Sequence, residues 1–241
     1  MIDCVDIGTA IVAYIEPHAG AERDFNRWYE RDHFYAATMA GPGVFAGGRF
    51  VATRACKQAR PPGATLFGDA SRGSYLALYW LLPDTQHDWD AWVARQVGTL
   101  VAQDRMFPGR DHLHTAVYRF VSQSRAADGP HAALALDRCF DGVVAMALAP
   151  DVDARAIADR VVGRRVPVAV AFRQERLIVS VLGDAAVTDS ESHTLLLAFV
   201  DGDVLDVWRD DIKPALETHD VRFASPFLRT IPGTDAYVDE L

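Results

Sequence analysis

One order of elements runs through the chain twice, and that recurrence constrains the fold more than any single motif. In the first pass, Ile7-Gly-Thr-Ala-Ile-Val-Ala-Tyr-Ile15 reads as a buried strand, residues 20–38 as a helix, and 44–54 and 74–82 as strands. An amphipathic helix over 88–102, with Trp89, Trp92, Val93 and Val97 on its apolar side, and an alternating strand over 112–121 complete it. A polar linker covers about 122–131. The pattern then returns as strand 142–149, helix 152–163, strands around 166–173 and 176–182 that read as an added hairpin, strand 194–200, helix 203–217 and strand 221–230. The spacing predicts an α+β fold of two tandem ferredoxin-like βαββαβ units, residues 1–124 and 132–241. Helices cover one face of each four-stranded sheet, so the other face must be buried, and the twin unit is the obvious partner. Two sheets packed face to face, or joined edge to edge into a shell, make an intramolecular pseudo-dimer.

The helix over 20–38 carries the most chemistry. Phe25, Trp28, Tyr29 and Asp32 stand at i, i+3, i+4 and i+7, and Tyr29 to His33 is a further i+4 step, so these side chains share an inward face. A phenol, an imidazole and a carboxylate on such a face predict a pocket with a polar end. Glu22 and Asp24 suit the first turn, and Gly41-Pro42-Gly43 ends the helix. Gly47-Gly48 in the next strand marks a bulge or a close backbone approach. The long connection 57–73, with Pro61-Pro62-Gly63 and Gly68, is of a length more often functional than idle.

Composition narrows the partners. The 241 residues are 50% hydrophobic, enough for a substantial core. The net charge is −9, lysine occurs only at Lys57 and Lys213, and Arg164-Arg165 is the one adjacent basic pair, which excludes a nucleic-acid footprint. Cys4, Cys56 and Cys139 give neither a disulfide framework nor a cysteine zinc site, and a reducing cytoplasmic location is expected. No stretch approaches the roughly 20 apolar residues of a membrane span, and the N-terminus lacks a charged region followed by an apolar one. No Gly-x-Gly-x-x-Gly, Walker loop or Gly-x-Ser-x-Gly elbow occurs, which sets aside nicotinamide, ATP and serine-hydrolase chemistry.

Phe25-Asn26-Arg27-Trp28-Tyr29 with His33, then Gly41-Pro42-Gly43-Val44-Phe45 and Gly47-Gly48-Arg49-Phe50, resemble the EthD-like group of dimeric alpha-beta barrels. The likeness covers about the first 55 residues; beyond them only the order of elements carries it. It implies an aromatic pocket in the first unit. Related barrels include cofactor-free polyketide cyclases, muconolactone isomerase, quinol-forming monooxygenases and haem-binding enzymes, so the reaction stays open. Helix 152–163 has no Trp-Tyr pair and no histidine, which predicts one working pocket per chain and a structural second unit.

Further candidates come from the strands. His112 and His114 stand two apart and are expected on one face with Ala116, Tyr118 and Phe120. Tyr75 and Tyr79 occupy one face of their strand and Trp80 the other, and Arg49 follows the glycine pair. We expect one of His33, His112 or His114, with His33 leading, to remove a proton from carbon or a hydroxyl. Tyr29 or Arg49 would stabilise the enolate or phenolate, and Trp28, Arg49, Tyr75, Tyr79, Trp80 and Tyr118 would hold the substrate. Asp32 and Asp111 are as well placed to cap or to pair with arginine as to orient an imidazole. A zinc or iron site from His112 and His114 with His33 or Asp111 is a second reading, and haem a third. Met106-Phe107-Pro108 and the Trp89/Trp92 pair read as packing. The sequence thus predicts a cofactor-free lyase, isomerase or cyclase acting on an aromatic or polyketide-like small molecule, with a homodimer possible. A cofactor-independent monooxygenase and a non-catalytic binding protein are the alternatives.

Overall fold

The computed structural model describes residues 4–63, 66–178 and 192–241. Eight strands close a barrel in which every pairing is antiparallel: β1 (Thr9–Pro17), β2 (Val44–Val51), β3 (Tyr75–Leu81), β4 (Arg110–Arg125), β5 (Gly142–Leu148), β6 (Val168–Leu177), β7 (Thr194–Val200) and β8 (Val221–Arg229). Around the barrel the order is β1-β3-β2-β8-β5-β7-β6-β4, so β1–β4 and β5–β8 repeat one ferredoxin-like arrangement. The halves therefore join edge to edge, not face to face. The β4–β6 seam is long, from Ala116↔Leu177 to Arg125↔Val168, whereas β2 meets β8 only at Phe50↔Arg229 and Val51↔Leu228. Among the described residues, closure gives every strand a partner on both sides.

Burial on both faces explains why β3, β5 and β7 read as unbroken apolar runs. One face lines the barrel, whose interior is packed with Tyr14, Phe50, Trp80, Tyr118, Phe172, Phe199, Phe223 and Phe227. Trp80 meets Phe172 across it with ring centroids 5.0 Å apart. The other face is covered by helices. Over the second half lie α4 (Ala154–Val161), α5 (Val204–Val207), a π-helical turn at Trp208–Ile212 and α6 (Lys213–Leu216), and Met146, Leu148, Ile157, Trp208 and Ile212 are buried together between them and the sheet. Over the first half lie α1 (Glu22–Trp28), continued by π-helical turns at Tyr29–His33 and Tyr35–Met39, and α3 (Gln86–Ala102), with the short α2 (Arg54–Gln58) between β2 and β3. Among the described residues no helix is long and apolar enough to cross a membrane.

Two expectations change. The turn expected between 173 and 176 does not occur: β6 runs on through Gln174, buried opposite Tyr118 of β4, and Glu175, exposed and paired with Arg119, and 179–182 lie outside the described residues. Ser122, Gln123 and Ser124, read as linker, belong to β4 and pair with Ala171, Val170 and Ala169. Residues 70–73 of the connection after β2 are anchored by Arg60, whose buried guanidinium donates to the carbonyls of Ala70, Arg72 and Gly73 and, at 2.9 Å, to Ser225 Oγ. The C-terminal segment crosses back over α1, where Arg27 pairs with Asp235 at 2.6 Å and Asn26 Nδ2 donates to the Thr234 carbonyl. The last residues of the second half thus help to hold the helix that carries the polar face of the first.

Candidate active site

The first half holds a cavity of about 330 Å³ between its sheet and its helices. Ile11 and Ala13 of β1, Tyr79 of β3 and Thr115 of β4 form its floor; Trp89, Val93 and Val97 of α3 form one wall. Tyr29, His33 and Thr38 come from α1 and its π-helical continuation, Arg110 and His112 from the start of β4, and Arg176 and Ile178 from the second half. Gly47 lets the π-helical turns sit close on β2, because a Cβ there would lie 2.5 Å from Met39 Sδ and 2.9 Å from Phe34 Cζ. Wide turns of this kind recur at functional sites, and here they carry Tyr29 and His33.

His33 carries no hydrogen bond among the described residues. Its ring stacks on Trp28 at 4.3 Å and meets Tyr29 edge-on at 5.1 Å. Nδ1 is buried without a partner, which leaves Nε2 to meet a ligand. Burial, and then the nearby charges of Arg110, His112 and Arg49, hold its pKa well below the usual histidine value, so the ring is neutral near pH 7. Beside it Tyr29 Oη and Tyr79 Oη are 3.0 Å apart. Burial pushes both phenols up, so they remain protonated and can donate. Arg49 lies behind this pair, 4.4 Å over the Tyr29 ring and 5.1 Å over that of Tyr75, which burial pushes up to about 12. Its Nη2 is buried without a hydrogen bond.

His112 also lines the cavity, but both its nitrogens are engaged. Arg110 Nε donates to Nε2 at 3.2 Å, which leaves the proton on Nδ1, facing Thr115 Oγ1 at 3.2 Å. Burial and the Arg110 charge lower its pKa to about 4.

The expectation that His112 and His114 share a face does not hold. In the β1–β4 ladder Tyr14 faces His114 and Ile15 faces His112, so Leu113 is an extra residue, and this bulge turns the two imidazoles to opposite sides of the sheet. His114 enters the barrel, where its Nε2 lies 2.8 Å from Tyr118 Oη, itself 2.8 Å from His193 Nε2. Trp80 and Tyr118 are inside the barrel too, apart from the cavity. A metal bound jointly by His112 and His114 is thereby ruled out, and Asp111 is taken by His18 at 3.0 Å and by Arg72. Asp32 faces away and pairs with Arg105. His112, with both nitrogens engaged, offers haem no axial donor, which leaves His33 as the one histidine of the cavity without a hydrogen bond among the described residues. The structure therefore brings together His33, Tyr29, Trp28, Tyr79 and His112, with Arg49 and Tyr75 just behind. Arg110, Trp89, Val93, Arg176 and Ile178 were not expected there; only the 89, 93, 97 stripe of α3 signalled any of them, and it read as packing.

By sequence the chain matches no protein-family model and no curated protein. Among solved structures it is similar to an anthrone oxidase-like protein, with a TM-score of 0.53 and 10% identity over 94% of this chain and 92% of that one. It is also similar to a chlorite dismutase-like protein, with a TM-score of 0.52 and 12% identity over 98% of this chain and 100% of that one. The chain has the dimeric α+β barrel fold. At these identities the likeness concerns the fold, in which both ferredoxin-like halves of the barrel are supplied by one polypeptide.

Proposed function

We propose that this barrel is an acid–base enzyme acting on a planar, oxygenated, largely apolar small molecule in the cavity of its first half. The observation that carries the reading is a neutral His33 whose ring nitrogens carry no hydrogen bond among the described residues, set beside a protonated Tyr29–Tyr79 pair in a cavity of largely apolar surface. In its Nδ1–H tautomer His33 takes a proton on Nε2 from an activated C–H or O–H of the substrate, and returns it to another atom of the same molecule or to solvent. Tyr29, its phenol polarised by the Arg49 guanidinium stacked on it, donates to the oxygen on which the enolate or phenolate charge develops. His112, fixed between Arg110 and Thr115, positions the guanidinium and takes no proton itself. Lyase, isomerase and cyclase reactions all begin with this step. The machinery needs no cofactor and lies within one chain.

A cofactor-independent monooxygenase is the second reading, favoured by the structural likeness to an anthrone oxidase-like protein. It shares the first step: the enolate formed by His33 would react with dioxygen, and for anthrone itself one O₂ converts the methylene to a carbonyl and releases one water. Anthrone therefore serves as a probe for both. Under anaerobic conditions in D₂O the wild-type protein should accelerate exchange of the methylene protons, and His33→Gln should reduce that acceleration about 100-fold or more. Oxygen uptake on admitting air would select the monooxygenase. Exchange no faster than buffer, or undiminished in H33Q, removes the acid–base reading and leaves the cavity as a binding site.

A further inference from the structure

Among the described residues, the cavity holds a cation without a counter-ion. Arg110 lines it half-buried, and burial lowers the pKa of its guanidinium. Its side chain rests over the Trp28 ring at 4.8 Å, and Nε donates to His112. Among the described residues no carboxylate pairs with it. The acids around it are each committed elsewhere: Asp111 to Arg72 and His18, Asp32 to Arg105, and Asp90, on the cavity wall, to Arg176. In a chain of net charge −9 this is no shortage of acids. Leaving a partly buried charge unpaired is costly, and a ligand that supplies the missing charge recovers that cost on binding.

The geometry also selects the kind of anion. With Nε held by His112, the free part of the guanidinium is its Nη1/Nη2 end, two parallel donors whose spacing matches the two oxygens of a carboxylate. Trp28 fixes the plane of that fork, while Ile11, Trp89, Val93 and Val97 offer apolar surface to the rest of the ligand. We propose that Arg110 is the anchor for a carboxylate, so that the molecule taken by this cavity is an aromatic or fused-ring monocarboxylate. The inference rests on this cavity being the working site. It adds a link between binding and chemistry: Arg110 is the first of the charges holding down the basicity of His33, so a carboxylate that neutralises it makes His33 a stronger base only when substrate is present.

Isothermal titration of the whole protein with 2-naphthoate and with 2-naphthamide, its uncharged isostere, tests this directly. The acid should bind about tenfold or more tightly than the amide, the range of a charge-assisted bidentate pair. R110Q should bind the two alike, and R110K, which keeps the charge but not the fork, should retain part of the preference. The wild-type comparison stands even if a variant fails to fold. Equal affinity of acid and amide for the wild type, a preference that survives in folded R110Q, or no saturable binding of 2-naphthoate at millimolar concentration would each overturn the proposal. H33Q separates it from the catalytic reading: that variant should lose anthrone exchange yet keep the preference for naphthoate. Exchange retained by the wild type alongside equal binding of acid and amide would remove the anion site alone.

Discussion

Acidification should weaken this fold through His114, and the size of the effect follows from its surroundings. The ring is 5% exposed inside the barrel, near Tyr14 and hydrogen-bonded to Tyr118, and burial lowers its pKa to about 4. In the unfolded chain a histidine titrates near 6.5. The folded pKa is the lower one, so the unfolded state takes up a proton as pH falls below about 6.5 while the native state does not until about 4. Stability is therefore complete above about pH 6.5 and declines below it, by about 1.4 kcal/mol per pH unit for this group and by about 3 kcal/mol at pH 4. His33 and His112 are shifted in the same direction, so the wild-type slope should be steeper than one group gives. His114→Gln keeps a side chain able to bond Tyr118 and removes the titration. Urea midpoints followed by tryptophan fluorescence from about pH 5 to 8 should show the H114Q slope reduced by about one proton. Wild-type stability that is flat over that range, or an H114Q slope equal to the wild type's, would refute the reasoning.

Other perturbations have distinct signatures. Y79F leaves the buried Tyr29 hydroxyl without its partner, and should cost about 1–3 kcal/mol in urea unfolding and slow anthrone exchange as well. G142A and G47A should differ in size. A Cβ at Gly142 would sit 2.4 Å from the Phe227 carbonyl oxygen on the paired strand, backbone that cannot yield, and should cost at least about 2 kcal/mol. At Gly47 the new methyl meets the ends of Met39 and Phe34, which can move, so about 1 kcal/mol is expected, with a larger change in ligand affinity than in the unfolding midpoint.

The barrel was legible because each half writes its pattern in apolar periodicity: β3, β5 and β7 are continuous runs, and the Phe25, Tyr29, His33 spacing keeps those side chains inward even though the helix widens to π-turns. What failed depended on single insertions and on contacts between distant segments. One extra residue at Leu113 turned His112 outward and left His114 inside, and periodicity carries no mark of a bulge. Asp32, at a position expected to face inward, was drawn outward by Arg105, 73 residues away. Arg176 and Ile178 reach the cavity from the second half, and Arg110 gains its meaning only once Asp32, Asp90 and Asp111 are seen to be paired elsewhere. Trp89 looks like core from sequence because a cavity wall and a core face present the same stripe.

The barrel interior, with His114, Tyr118 and His193, and the outer cavity, with His33 and His112, are rival places for a ligand. Imidazole NMR of the protein carrying ¹³C-labelled histidine, with the 8 histidines assigned by single substitution and anthrone as the added ligand, distinguishes them. Shifts confined to His33 and His112, with His114 and His193 unmoved, are the result expected if the outer cavity is the working site. Shifts at His114 and His193 with His33 silent would contradict that account and move the chemistry into the barrel.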